Sequence, residues 1–235
     1  MSRRHIVAKE ALAYLRTAAY ASTPQHRHQR GDEDAPGLFL VHGVGATPAQ
    51  FRLLAKALAK DVAFVDDFAY RSTRPLRDVT DELSQAIELR AARHVAGMVV
   101  VGHSLGGLLL RMVLQSDRPP ERVVGFVSIC APLHGTTRCA LAPTKDLRSI
   151  TPGSKLFQQL DATHHRLEFL RGRLLAVGST SDHFVEPKSS AYLPDAPVLE
   201  LRDSGHVSSL FDERVHEAIR KVIRAARMTR MGGRK

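Results

Sequence analysis

The sequence predicts an α/β protein built on a mostly parallel sheet of about six strands, with helices on both faces. Three observations carry this. From residue 37 onward, short apolar runs alternate with segments of helical period. The apolar runs are near-continuous, which means burial on both faces and is the condition of a parallel sheet. One run, "VVVGHSLGG", passes from strand to helix through a serine set between glycines, as a tight corner requires.

The strands, in order, are "GLFLVHG", "DVAFV", "GMVVVGH", "RVVGFVSIC", "GRLLAVGS" and "APVLELR". After the first, Thr47 and Gln50 have capping-box spacing, with Pro48 at the first helical position. Phe51, Leu54, Ala55 and Leu58 then form one apolar stripe. Val79, Leu83, Ala86 and Ile87 mark a second helix, and Leu105, Leu108, Leu109 and Met112 a third that begins at the corner itself. Val215, Ala218, Ile219, Val222 and Ile223 mark the last. Strict alternation implies right-handed crossovers. Residues 5–20 read as a further helix, followed by a polar linker to residue 36, and a basic tail follows residue 228. A single domain is therefore expected over 37–228. Its connection at about 131–172 is long enough to suggest a lid-like insertion, with "GSKLFQQLDA" helical within it.

Composition narrows the function. The 235 residues suffice for one core, and 43% hydrophobic with 25% charged residues is ordinary for a globular chain. No stretch has the length of a membrane span or the pattern of a secretory leader, so a cytoplasmic location is expected. Cys130 and Cys139 make no disulfide framework and read as buried thiols. The net charge of +10 could attract polyanions, but the basic residues are scattered and the chain has no Trp, so no nucleic-acid partner is expected. A weak pull toward anionic membrane surfaces stays open. Nothing fixes the oligomeric state.

The corner gives Ser104 a chemical reading. Gly102 and Gly106 supply the small residues that a sharp strand-to-helix turn needs two places on either side of its serine. Such a turn raises the hydroxyl above the sheet and points a helix N-terminus at it. A serine hydroxyl is a weak nucleophile unaided, so a base and an orienting acid are required. On a parallel sheet they belong on loops at the carboxyl ends of later strands. "TSDHFVEP" places Asp182 just past one strand end, and "DSGHVSSL" places His206 past the next. The order Ser104, Asp182, His206 is the one this corner type predicts, with His206 as base and Asp182 fixing its tautomer. Asp203 is the fallback acid and Asp195 a poorer one. His103 is expected to turn away from the serine, and His183 follows the acid too closely to pair with it. The backbone N–H groups of Leu105 and of Val44, in the glycine loop "LVHGVGATP", are the candidate oxyanion donors.

Together, "LVHGVGATPAQF", "VVVGHSLGGLLLR", "SICAPLHGT", "TPGSKLFQQL", "GSTSDHFVEP" and "GHVSSL" resemble the α/β-hydrolase fold, and within it the compact bacterial triacylglycerol lipases and lipase-like esterases. The resemblance spans most of residues 37–210 and implies Ser104, Asp182 and His206 as triad, with Val44 and Leu105 as oxyanion donors. "APLHGT" is similar to the turn that shapes the family's acyl pocket. Several secreted members hold calcium with an Asp two residues after the catalytic His; this chain has Ser208 there, so neither metal nor cofactor is expected. The first two strands of the full fold are missing, replaced by the helix at 5–20.

The expected function is a serine carboxylic-ester hydrolase acting through an acyl-enzyme on Ser104. Its expected partner is a small-molecule ester or lipid-like, acyl-bearing substrate, because Leu133, Leu141, Leu147, Ile150, Leu156, Phe157 and Leu160 make the long connection greasy. Those residues could equally complete the core. An acyltransferase or thioesterase would share every catalytic residue. A non-catalytic membrane- or partner-binding protein is the reading from another class.

Overall fold

The computed structural model describes residues 3–20 and 31–232. Most of the polar linker (21–30) and the end of the basic tail (233–235) lie outside the described residues. The sheet has six strands, all parallel: β1 (Gly37–Val41), β2 (Val65–Phe68), β3 (Met98–His103), β4 (Val123–Ile129), β5 (Leu174–Ser179) and β6 (Val198–Leu201), in spatial order β2-β1-β3-β4-β5-β6.

Among the described residues, seven α-helices accompany it: α1 (Arg3–Tyr20), α2 (Arg52–Leu58), α3 (Leu76–Ala91), α4 (Leu105–Leu114), α5 (Lys145–Arg148), α6 (Lys155–Ala162) and α7 (Glu213–Gly232). Side-chain alternation along the strands splits the core in two. Phe39, Val41, Met98, Val100 and Phe126 point toward α3 and α4, while Leu38, Leu40, Val99, Val101, Val127 and Ile129 point toward α2 and α7. The chain leaves β1 in one direction for β2 and returns past it to β3, so the order reverses between β1 and β3. Ligand crevices of open parallel sheets form at such a point.

Three details differ from the sequence reading. The second strand lies at Val65–Phe68, not over the apolar run Val62–Val65. That run is buried, but the ladder continues into Asp66 and Asp67, which an edge strand tolerates; Asp66 pairs with Arg90 at 2.8 Å. The Thr47 capping box does not form. Thr47 makes no side-chain cap, residues Pro48–Phe51 wind as a 3₁₀ turn ahead of α2, and Gln50 is buried instead of reaching back. The last helix runs to Gly232, past the expected start of the tail at residue 229.

For the long connection, where the sequence left core and substrate pocket both open, the segment is stapled to the core. Leu133, Leu147, Ile150, Phe157 and Leu160 join the α3–α4 cluster. Fully buried Arg111 of α4 donates to the Leu133 carbonyl, to Gln115 Oε1 at 2.7 Å and to Asp161 at 2.9 Å. Gln115 in turn donates to Thr163 Oγ1 at 3.0 Å. The greasiness of this segment is therefore largely core.

Candidate active site

Ser104 sits between β3 and α4 with φ 53° and ψ −125°, a backbone state that L-residues rarely adopt. The sharpness of the turn explains its glycines. A Cβ on Gly102 would lie 2.4 Å from the Gly107 nitrogen, and one on Gly106 would lie 2.1 Å from the Val41 carbonyl oxygen. Any larger residue would push α4 off β1. Ser104 is N-cap of α4, so the first N–H groups of that helix, beginning with Leu105, have no intrahelical acceptor and face the same end of the sheet.

Register brings the next loops together. Val41 of β1 pairs with Gly102 of β3, so the loops that follow leave the sheet at one level. A Cβ on Gly43 would come within 2.8 Å of Ser104 Cβ, which makes glycine the residue that fits. The His42 ring, stacked on Tyr70 at 4.3 Å, holds this loop. Its Nε2 accepts from the Tyr70 N–H at 3.3 Å, so the proton is on Nδ1, which donates to the Gly43 carbonyl at 2.9 Å. Burial holds the His42 pKa below its ordinary value, which keeps the ring neutral. In a trans peptide the N–H points opposite the carbonyl, so fixing the Gly43 carbonyl fixes the direction of the Val44 N–H. Sequence reasoning missed this role of His42; the adjacent His42–Gly43 pair is the signal that could have found it.

Ser179 of β5 pairs with Leu201 of β6, so Asp182 and His206 depart from neighbouring strand ends. His206 Nδ1 lies 2.8 Å from Asp182 Oδ2, and both residues are buried. Asp182 Oδ1 accepts the backbone N–H groups of Phe184 at 2.7 Å and Val185 at 3.1 Å. Burial alone would raise the Asp182 pKa, but the hydrogen bond and charge of His206 and the two N–H groups overcome it and lower it. The carboxylate is thus ionised and holds the Nδ1 side of the His206 ring, which leaves Nε2 as the ring nitrogen turned away from the acid.

The His206 loop is braced on all sides. Ser209 Oγ and His103 Nε2 donate to the His206 carbonyl at 2.7 and 3.0 Å. The Val207 and Ser208 N–H groups donate to the two oxygens of Glu10 at 2.7 and 2.9 Å. Ser208 Oγ accepts from the Gly205 N–H at 2.7 Å. His103, expected to turn away, packs its ring 4.7 Å from that of His206; burial drives its pKa down to about 3, with the charge of His206 second. The alternatives stand elsewhere: Asp203 pairs with Arg214, His183 is exposed, and Asp195 is an exposed turn residue with φ 61°.

Ser104 and His206 line one cavity of about 460 Å³, although no hydrogen bond joins the serine hydroxyl to the imidazole. Gly43 to Thr47 form one wall, and Pro132, Thr136, Leu147 and Ile150 of the long connection form another. Phe184 and Val185 contribute from the acid loop, and Tyr14, Thr17 and Ala18 from α1. The contribution of α1 was not foreseen.

Cys130, at the end of β4, is a further unexpected neighbour. Its sulfur, an Asp182 oxygen and a His206 nitrogen all lie within 4.8 Å of one another, the only such donor group among the described residues. It is a closed network rather than an open metal cradle. Asp182 and His206 bond each other, the thiol donates to Ser209 Oγ at 3.5 Å, and burial with the Asp182 charge pushes its pKa up.

The chain belongs to the alpha/beta hydrolase family, whose model matches residues 38–176, more than half of its length. No curated protein matches. Among solved structures, one described under LipS and LipT, two metagenome-derived lipolytic enzymes, is 21% identical, with a TM-score of 0.60 over 84% of this chain and 100% of that one. Monoacylglycerol lipase of Paleococcus ferrophilus is 18% identical, with a TM-score of 0.59 over 87% and 100%. Mature lipase BlEst2 of Bacillus licheniformis is 15% identical, with a TM-score of 0.69 over 82% and 94%. At these identities the likeness is one of fold.

Proposed function

We propose that this protein is a serine carboxylic-ester hydrolase. The observation that carries the reading is the buried His206–Asp182 pair, 2.8 Å apart, opening onto the cavity that also exposes Ser104 on its strained turn. The similar solved structures, described as lipolytic and lipase proteins, support the same class.

In this reading Ser104 Oγ attacks the ester carbonyl carbon as its proton passes to His206 Nε2. The oxyanion is met by the N–H groups of Val44 and Leu105. Collapse breaks the carbon–oxygen bond, and Nε2 returns the proton to the departing alcohol. Water then repeats the sequence on the acyl-enzyme, freeing the acid and Ser104. Asp182 stays ionised and steadies the imidazolium. The serine–histidine hydrogen bond belongs to the substrate-filled site, where catalytic contacts tighten.

Cys130 shares the acid and base but suits attack poorly. The thiolate is the nucleophilic form, and this thiol is fully buried, is absent from the cavity wall and has a raised pKa. The test compares the parent, Ser104→Ala and Cys130→Ala on p-nitrophenyl esters of increasing acyl length and with a fluorophosphonate probe. Loss of turnover and labelling in Ser104→Ala, with both retained in Cys130→Ala, is expected. Equal turnover in Ser104→Ala and the parent refutes the proposal. Faster transfer to an added alcohol or thiol than to water would reassign the same site to an acyltransferase or thioesterase.

A further inference from the structure

We propose that the outward face of α1 docks the protein on an anionic lipid surface, with the mouth of the cavity turned toward that surface. An ordinary surface helix buries its apolar side, whereas this one leaves its largest aliphatic residues outside and turns two charged residues inward. Glu10 holds the Val207 and Ser208 N–H groups, and Lys9 donates to Ser204 Oγ at 2.8 Å and lies 3.7 Å from Asp212. Val7, Leu12 and Leu15 face out, 56%, 47% and 68% exposed, while the small Ala13 is buried. Ala8, Ala11 and Ala19 are exposed beside them. At 3.6 residues per turn, Ala8, Ala11, Leu12, Leu15 and Ala19 form one continuous stripe.

Charge identifies the occupant. Arg4, His5 and Arg16 are exposed on the same helix, and its one acidic residue, Glu10, is turned inward. An apolar helical stripe bordered by cations and lacking anions matches the boundary between acyl chains and anionic headgroups. A second copy fits less well, because it would set Arg4 and Arg16 against their own duplicates on a chain of net charge +10. The stripe also adjoins the site. Tyr14 and Ala18 of α1 line the cavity, and Val44 and Phe184, both more than half exposed, stand on its other walls. Docking therefore sets the cavity mouth against the lipid. Docking itself stands on α1 alone; its value for turnover rests on the proposed esterase reading.

The test is flotation of the full chain carrying Ser104→Ala, so that no lipid is consumed, with phosphatidylcholine vesicles containing or lacking phosphatidylglycerol. The expected result is binding to the phosphatidylglycerol vesicles only, falling as salt rises. Leu15→Asp should weaken that binding about tenfold, and Arg4→Glu with Arg16→Glu should weaken it without altering the apolar stripe. In the Ser104 parent, Leu15→Asp should leave turnover of a water-soluble p-nitrophenyl ester unchanged. No binding to phosphatidylglycerol vesicles, or equal binding by Leu15→Asp and the parent, overturns the proposal. So does a dimer, seen by light scattering without lipid, that Leu15→Asp dissolves. A chain that binds vesicles but cleaves no ester would refute the esterase reading and leave docking standing.

Discussion

Replacing Glu10 with alanine tests whether α1 belongs to the working parts of the site. The carboxylate accepts the N–H groups of the two residues after His206, at 2.7 and 2.9 Å, and its approach depends on Gly205, where a Cβ would lie 2.4 Å from Glu10 Oε2. Hydrogen bonds to a charged group contribute about 1.5–3 kcal/mol each. Glu10 is only half-buried, so water can satisfy part of what is lost, and a combined cost of about 2 kcal/mol is the reasonable figure. For a chain of this size that is a fall in melting temperature of roughly 4–8 °C if unfolding is global. The rate should fall further than stability suggests. The loop that carries His206 would keep the His103 and Ser209 donors on its carbonyl and the internal Gly205–Ser208 bond, but loosened alignment costs about 10- to 100-fold in kcat. Glu10→Gln keeps one acceptor oxygen and should fall between. The assay is kcat and KM on a soluble p-nitrophenyl ester beside a thermal melt. A positioning role lowers kcat at temperatures well below the melt with little change in KM. A kcat within about twofold of the parent in Glu10→Ala would refute the reasoning.

Two further outcomes follow from the titrating groups. Asp182→Asn should lower kcat about 10⁴-fold with the fold intact, since an amide can no longer hold the His206 proton on Nδ1; steady-state kinetics at neutral pH check this, and retained turnover would show that another acid orients the base. His103 is buried and neutral, with its pKa at about 3 against an ordinary 6.5. The unfolded chain therefore binds a proton that the folded chain refuses between these values. Stability from this residue is complete above about pH 6.5 and drains at about 1.4 kcal/mol per pH unit as the pH falls toward 3. Denaturant melts from pH 7 to 4.5 should show this slope, and His103→Gln, which keeps an N–H for the His206 carbonyl, should remove about one proton's worth of it. An unchanged slope would refute the assignment.

The parallel sheet was legible because fully buried strands leave unbroken apolar runs, and the turn at Ser104 because its steric demand restricts the residues at 102 and 106. The meeting of Asp182 with His206 was legible because loop order follows strand order. What escaped notice depended on three-dimensional partners. The direction of α1 could not be read from periodicity, since a stripe announces a helix without saying whether it faces core or solvent; Lys9 and Glu10 decide it through contacts some 200 residues away. The orientation of the Gly43 carbonyl depends on Tyr70, and the greasy residues after β4 declared themselves core only through the reach of Arg111. Thr47 failed as a cap because the chain entered a 3₁₀ turn.

The anchoring of the long connection has a consequence for altering which substrates the pocket admits. Leu147 and Ile150 serve two masters: they line the cavity and they complete the packing against α3 and α4. Reshaping that side forfeits stability with each methylene removed. Tyr14 and Phe184 border the same space from positions open to solvent. Variation in substrate range should therefore accumulate along this peripheral rim, leaving the floor unchanged.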